Sequence, residues 1–156
     1  MLHLILSLLA LAPSQDPHQG MNDRGAMAMG FDQDKTAHHF YLYDDGGAIQ
    51  IGVKDAADTK DRDAIRSHLP HIATMFAAGD FDAPMLVHDT RDVPGIKVLA
   101  DRKDTITYTY AETPTGGRVE IVTRDKTTLA ALHDFLRYQI KEHETGDAGK
   151  VTKRGQ

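Results

Sequence analysis

Two histidines and a methionine occur at helical spacing in the segment SHLPHIATMF, residues 67–76. At about 100° per residue, His68, His71 and Met75 share one strip of a helix. Beside this strip runs the apolar stripe expected to face the core, formed by Ile65, Leu69, Ile72 and Phe76. Imidazole and thioether groups together suit copper. The segment therefore predicts either a metal site or the ordinary polar flank of a core helix.

Three further residues extend this first predicted site. Met85 and His88 lie in the segment GDFDAPMLVHDT, which would bring them back from the C-terminal end of the helix. A second helix, antiparallel to the first, would contribute His133 from its N-terminal half. The predicted metal site thus draws on some subset of six residues: His68, His71, Met75, Met85, His88 and His133.

A second candidate metal site groups His38, His39 and His143. The first two begin a predicted strand near the N-terminal end of the first helix. They are expected roughly 20 Å from His71, along an axis that rises about 1.5 Å per residue. Alternation along the strand places His38 on the core side with Phe40, and His39 on the opposite side. His143 ends the second helix and is their predicted neighbour.

The combination of imidazoles and thioethers favours a copper ion as the bound species. One alternative is a b-type haem, held by a pair of histidines in the apolar groove between the helices and the sheet. Another is a metal-free module that dimerises through the open face of the sheet. The side chains expected on that face are Tyr41, Tyr43, Thr105, Thr107 and Thr109. Such a set is also typical of a solvated sheet surface.

Two β-hairpins are predicted from alternating apolar residues, one around the turn at 44–47 and one around the turn at 114–117. The segments GGAIQIGVKD (46–55) and GGRVEIVTRD (116–125) share both glycines, an isoleucine and the closing aspartate in register. We interpret this match as an internal ββα duplication.

A helix is predicted after each hairpin. The first runs from residue 58 or 59 to Gly79, and Pro70 is expected to kink or split it because proline lacks the backbone N–H. The second runs from residue 127 or 128 to about His143.

These elements predict an α+β fold: a two-layer sandwich with a four- to five-stranded antiparallel sheet and two helices on one face. The alternation of each strand leaves one apolar face, which the apolar stripes of the helices would cover. The residues Ile96, Val98 and Leu99 predict the fifth strand, at an edge of the sheet.

The chain is predicted to contain one folded domain at 36–147. A signal peptide is predicted at 1–14 from the apolar run at 2–12, which is too short to span a membrane as a helix. A flexible leader is predicted at 15–35 and a disordered tail at 148–156. With no cysteine in the sequence, disulfides are excluded. We expect a soluble periplasmic or secreted protein.

Several function classes are disfavoured by the sequence. The net charge of −5 argues against a nucleic-acid-binding protein, which usually carries a basic face. The sequence contains no Gly-x-Ser-x-Gly, no His-Glu-x-x-His and no glycine-rich phosphate loop after a predicted strand. We therefore predict no catalytic residue, and consider a binding protein more consistent with the sequence than an enzyme.

Three segments carry a family resemblance: MGFDQDKTAHHF (29–40), HLPHIATMFAAGDFDAPMLVH (68–88) and FLRYQIKEHETGD (135–147). Together they resemble a family of small exported bacterial proteins of unassigned function. Pro70, where a helix former is usual, and Tyr138, where phenylalanine is usual, depart from the family pattern. Some members carry an aspartate carbamoyltransferase label, which does not fit a chain this short that lacks a recognisable carbamoyl-phosphate loop. The resemblance implies an exported domain and no particular activity.

Overall fold

The computed structural model describes residues 17–155, and the predicted signal peptide at 1–14 lies outside them. The helices are α1 (Pro17–Met29), α2 (Thr59–Ala77), α3 (Asp82–Val87), α4 (Ile96–Asp101) and α5 (Lys126–Glu142). The strands are β1 (Thr36–Tyr43), β2 (Gly46–Val53), β3 (Ile106–Thr113), β4 (Gly116–Thr123) and β5 (Val151–Thr152). This mixture of helices and one sheet confirms the predicted α+β class. None of the described helices is long and apolar enough to cross a membrane.

The sheet has five strands in the order β3-β4-β2-β1-β5. Neighbours among the first four strands pair antiparallel, whereas β5 pairs with β1 in parallel. The prediction of a strand at Ile96, Val98 and Leu99 is wrong, because these residues belong to α4. Ile96 and Leu99 are both buried, and their spacing of three residues places them on one face of a helix. Gly95, with φ of 82°, allows the tight turn into this helix.

Two ββα units occur in the described chain, β1-β2-α2 and β3-β4-α5. All four of their strands contain eight residues. Each helix starts at an aspartate cap: the Asp58 side chain accepts the N–H of Asp61, and the Asp125 side chain accepts the N–H of Thr128. The hairpins and the helices after them were predicted, whereas the duplication itself stays a prediction.

The helices α2 and α5 pack on the same face of the sheet. Leu136 of α5 lies over Gly47, where an added Cβ would come within 2.4 Å of the leucine Cδ1. Leu69 of α2 lies over Gly117, where the corresponding distance is 3.0 Å. Gly47 pairs with Ile121, which points to the same side of β4 as Gly117, so both contacts lie on one face.

Helix α2 continues through Pro70, so the predicted split is not observed. The predicted apolar stripe is confirmed, since all four of its residues are buried: Ile65, Leu69, Ile72 and Phe76. Burying each such side chain contributes about 1.5–3 kcal/mol, whereas an interior proline costs about 3 kcal/mol. Burial of the stripe therefore outweighs the cost of the proline.

The described part of the predicted flexible leader, 17–35, differs from the prediction, because it contains α1. Met21 and Phe31 are buried, at 6% and 2% exposure. The Arg24 side chain donates through Nε to the carbonyl oxygen of Val87, at 3.0 Å. A few anchoring residues, rather than a continuous apolar stripe, hold this segment against α3. The sequence pattern therefore gave little sign of a helix.

The predicted disordered tail also differs from the structure. Its residues 151–152 form β5, and the N–H of Asp44 donates to the carbonyl oxygen of Thr152 at 3.0 Å. Arg154 forms ion pairs with Asp45, at 2.9 Å, and with Glu120. The segment is thus attached to the edge and the outer face of the sheet.

The outer face of the sheet, away from α2 and α5, exposes less tyrosine surface than predicted. Tyr41 and Tyr43 are half-buried. The guanidinium carbon of Arg118 lies 4.6 Å from the ring centre of Tyr41, and that of Arg154 lies 4.5 Å from the ring centre of Tyr43. Thr107 and Thr109 of β3 are exposed on this face. The assignment of Thr105 to the face is wrong, because this residue precedes β3 and its hydroxyl oxygen lies 3.0 Å from that of Thr128 in α5.

We expect Gly47→Ala to destabilise the protein by about 1–3 kcal/mol. The new Cβ would lie 2.4 Å from Cδ1 of Leu136 and 2.7 Å from the carbonyl oxygen of Tyr41. Urea unfolding followed by circular dichroism measures the change. Gly20→Ala is the control, because its Cβ would meet only the flexible end of Arg24, at 3.4 Å. An unchanged free energy of unfolding for Gly47→Ala would contradict the close packing of α5 on β2.

Candidate functional site

Four of the six residues predicted for the first site line one open groove of ≈ 1050 Å³. They are His68, His71 and Met75 of α2, and Met85 of α3. Spacings of three and four residues place the first three on one side of α2, as predicted. After α2 the chain turns at Gly79, with φ of 82°, and α3 supplies the other wall of the groove.

The donors of the groove differ in exposure. His71 is exposed, whereas His68, Met75 and Met85 are half-buried. The pKa of His68 is lowered, first by burial and then by the charge of the neighbouring His71. The two imidazoles are thus close enough to interact, and the neutral form that binds metals is favoured at His68. Within residues 17–155, no three His, Cys, Asp or Glu side chains form a metal-binding group. The donors in the groove are two imidazoles and two thioethers, a combination that such a group of His, Cys, Asp and Glu side chains does not include.

His133 lies elsewhere, which corrects its assignment to the first site. Its Nε2 lies 2.9 Å from the carbonyl oxygen of Tyr43 and 3.0 Å from that of Gly46. A ring N–H at this position donates to the β1–β2 hairpin, so His133 is a structural residue. The N–H of Thr123, just before α5, donates to the carbonyl oxygen of Asp45. The N-terminal half of α5 therefore lies beside this hairpin and away from the groove.

His88 also lies outside the groove and instead meets the second predicted set. It caps the C-terminal end of α3, and its ring centre lies 5.1 Å from that of His143. The ring of His143 in turn stacks on His38, with centres 5.1 Å apart. His143 therefore contacts one residue from each predicted site, His88 and His38, although the two sites were expected at opposite ends of α2. The cause is α3, which carries the chain back toward the C-terminal end of α5.

A small cavity of ≈ 70 Å³ lies between the sheet and the helices α2, α3 and α5. Its polar lining consists of His38, His68, His88, His143 and the amide of Gln139. Its apolar lining consists of Met29, Phe40, Ile49, Ile51, Leu69, Ile72, Phe76, Ala83, Pro84, Val87 and Phe135. His68 lines both this cavity and the open groove, so its imidazole belongs to the wall between them.

Three polar atoms at the cavity lack partners. Nε2 of His38, Nε2 of His68 and Nε2 of Gln139 are buried and have no hydrogen-bond partner among the described residues. Leaving a buried donor or acceptor unpaired costs about 1–3 kcal/mol. The cavity therefore contains unused hydrogen-bonding capacity.

The imidazoles at the cavity are disfavoured in their charged form. Burial lowers the pKa of His38 to about 4, and the positive charges of His39 and Lys54 act in the same direction. The pKa of His88 is also lowered, chiefly by burial, although its hydrogen bond to Gln139 opposes the shift. His38 is therefore neutral at pH 7.

The second candidate set lines a separate polar pocket of ≈ 270 Å³, which includes His38, His39 and His143. As predicted, His39 points to the opposite side of β1 from His38. Its Nδ1 lies 3.0 Å from Oδ1 of Asp147. The other carboxylate oxygen accepts the N–H of Phe40, at 2.9 Å, and the hydroxyl of Thr145, at 2.7 Å. His39 thus fastens the chain after α5 to β1. His38 and His143 line both this pocket and the small cavity.

Sequence reasoning missed two residues of the site. The ring of Phe31 lies 6.3 Å from that of His38 and 6.0 Å from that of His68, between centres. Its occurrence as an aromatic residue in an otherwise polar segment was the available signal. Gln139 lies three residues after Leu136 and four before His143, a spacing that indicates the inner face of α5.

The small cavity between the sheet and the helices α2, α3 and α5 has too little room for a cofactor. Its ≈ 70 Å³ is well below the roughly 300–1,000 Å³ of sites for drug-sized ligands. A porphyrin is at least as large as such ligands. Of the three spaces described above, with volumes of ≈ 1050, ≈ 70 and ≈ 270 Å³, the open groove alone has a volume above roughly 300 Å³.

Comparisons of the chain with protein-family models, with curated proteins and with solved structures found no match. The function therefore has to be inferred from the residues of the site. The three segments 29–40, 68–88 and 135–147 supply every lining residue of the cavity except Ile49 and Ile51. They are brought together by the fold although they are far apart in sequence.

We expect acidification to destabilise the fold through His38. The pKa of this imidazole is 6.5 in the unfolded reference and about 4 in the folded protein. Between these values the unfolded chain binds a proton that the native protein does not. The free energy of unfolding therefore falls as the pH drops through this window, by about 3 kcal/mol in all from this group, and falls no further from it below pH 4.

Urea unfolding at pH 7 and at about pH 4.5 measures this effect. The difference in unfolding free energy between the two pH values should be smaller in His38→Leu than in the wild type. His71→Leu changes an exposed histidine and is the control, with the wild-type difference expected. Equal differences in His38→Leu and the wild type would show that His38 is not the group responsible.

Proposed function

We propose that the protein binds a copper ion in the open groove through His68, His71, Met75 and Met85. The observation that carries this proposal is that these four residues, taken from the six predicted donors, line one groove. They come from two adjacent helices, so the set does not depend on a long loop. The exposed His71 gives an incoming ion its first contact.

The donor types support copper over other metals. Thioether sulfur is a soft ligand that suits copper(I), while imidazole binds copper in either oxidation state. Magnesium and calcium prefer carboxylate and carbonyl oxygen. The sequence has no cysteine, so no thiolate competes with these donors.

His68 would bind the ion through Nδ1. Its Nε2 is buried without a partner, beside the cavity, so Nδ1 is the nitrogen left for the groove. Because burial and the charge of His71 lower the pKa of His68, protons compete less with the metal at this nitrogen.

We also propose that the protein acts in the periplasm or outside the cell. The support is the apolar run at 2–12, which has the length of a signal-peptide core. In an oxidising compartment, imidazole and thioether donors persist where thiolates would be lost, which is consistent with the groove.

We expect His71→Ala to weaken copper binding at least about tenfold, since loss of a group that merely supports a ligand costs about 10–100-fold. The measurement is native mass spectrometry of the protein purified without a histidine tag, before and after copper is added. His39→Ala, outside the groove, should keep the wild-type stoichiometry. Undiminished copper binding in His71→Ala would contradict the proposed site in the groove and would indicate a site at His38, His39 and His143.

A second pair of variants tests the thioether. Met75→Leu keeps the apolar volume and removes the sulfur, so copper(I) affinity should fall. Met27→Leu is the control, because Met27 is 82% exposed and lies outside the groove. The same spectra separate the alternatives: a haem adduct has its own mass and visible absorption, and a metal-free homodimer has twice the mass of the chain.

A further inference from the structure

Polar atoms without hydrogen-bond partners belong to the residues that line the small cavity between the sheet and the helices α2, α3 and α5. Nε2 of His38, Nε2 of His68 and Nε2 of Gln139 lie at its wall with no partner among the described residues. Polar groups at this depth are nearly always hydrogen-bonded to protein, water or ligand. Three such atoms around one space form a site that is distinct from the copper groove, although His68 borders both.

The occupant is uncharged. The described residues that line the cavity include no Asp, Glu, Lys or Arg. His38 is neutral at pH 7, because burial lowers its pKa to about 4. An ion in this space would lose its hydration without gaining a counter-charge, which is very costly.

The hydrogen-bonding pattern favours a hydroxyl group. The amide N–H of Gln139 needs an acceptor, and each neutral imidazole nitrogen can donate or accept according to its tautomer. A hydroxyl both donates and accepts, so it can satisfy either arrangement. The remaining lining, including Ile49 and Phe76, is apolar and suits a hydrocarbon body.

The volume sets the size of the occupant. The cavity has a volume of ≈ 70 Å³, well below the roughly 300–1,000 Å³ of sites for drug-sized ligands. We propose that the cavity binds a small uncharged molecule of a few non-hydrogen atoms, with one hydroxyl group and a short apolar body. This is the class of the short-chain alcohols.

The proposal is tested by NMR titration of the isotope-labelled chain with 1-propanol at pH 7. We expect a saturable shift of the His38 ring signals, and nuclear Overhauser effects between the propanol methyl group and the methyl groups of Ile49 and Ile51. Acetate, of similar size but charged, should produce no saturable shift at these residues. Equal binding of acetate would overturn the assignment to an uncharged ligand.

Matched variants locate the binding. His38→Phe should weaken propanol binding at least tenfold, whereas His39→Phe, on the opposite side of β1, should leave it unchanged. If His38→Phe does not give a native spectrum, Gln139→Leu removes the amide instead and should cause the same loss. A linear, non-saturating response, or long-lived cavity water signals that propanol does not displace, would overturn the proposal and assign the space to water.

Discussion

Each of the two long helices makes a close contact with the sheet at a strand glycine. Gly47 lies under Leu136 and Gly117 lies under Leu69. An added Cβ would lie 2.4 Å from the leucine Cδ1 at Gly47 and 3.0 Å from it at Gly117. These contacts fix α5 and α2 on one face of the sheet. Nearby on the same face, β2 carries Ile49 and Ile51, and the cavity lies over them. The positions of the histidines around the cavity therefore depend on how α2 and α5 pack on the sheet.

The histidines fall into two classes according to their partners. His39 faces outward and pairs with a carboxylate, Asp147, which is itself fixed by the chain around it. His88 faces inward and pairs with an amide, Gln139, while Nε2 of His38 has no partner. Burial beside neutral groups favours the neutral form of an imidazole. The fold thus favours the neutral imidazoles of His38 and His88, which can act as hydrogen-bond donors or acceptors.

Local patterns predicted the hairpins, both long helices and the apolar stripe of α2, because alternation and three- to four-residue spacing act within a few residues of chain. The same spacing predicted that His68, His71 and Met75 share one side. The path of α3 was not predictable in this way, since a short segment goes where tertiary contacts hold it. That path, rather than any helical periodicity, brings His88 to His143. The helix α1 was missed because its described buried positions, Met21 and Gly25, are four residues apart but include a single large apolar side chain, too few to form an apolar stripe.

His68 links the two proposed sites chemically, because its two ring nitrogens serve different spaces. A neutral imidazole carries one proton, and a metal bound at Nδ1 requires that proton to be on Nε2. Copper in the groove would therefore fix Nε2 as a donor toward the cavity, where an occupant must then accept. Without copper, either tautomer is available and the occupant can donate instead. Since coupling between two binding events is reciprocal, an occupant that accepts from Nε2 must also strengthen metal binding at Nδ1. The wall between the groove and the cavity is thus one imidazole through which each site influences the other.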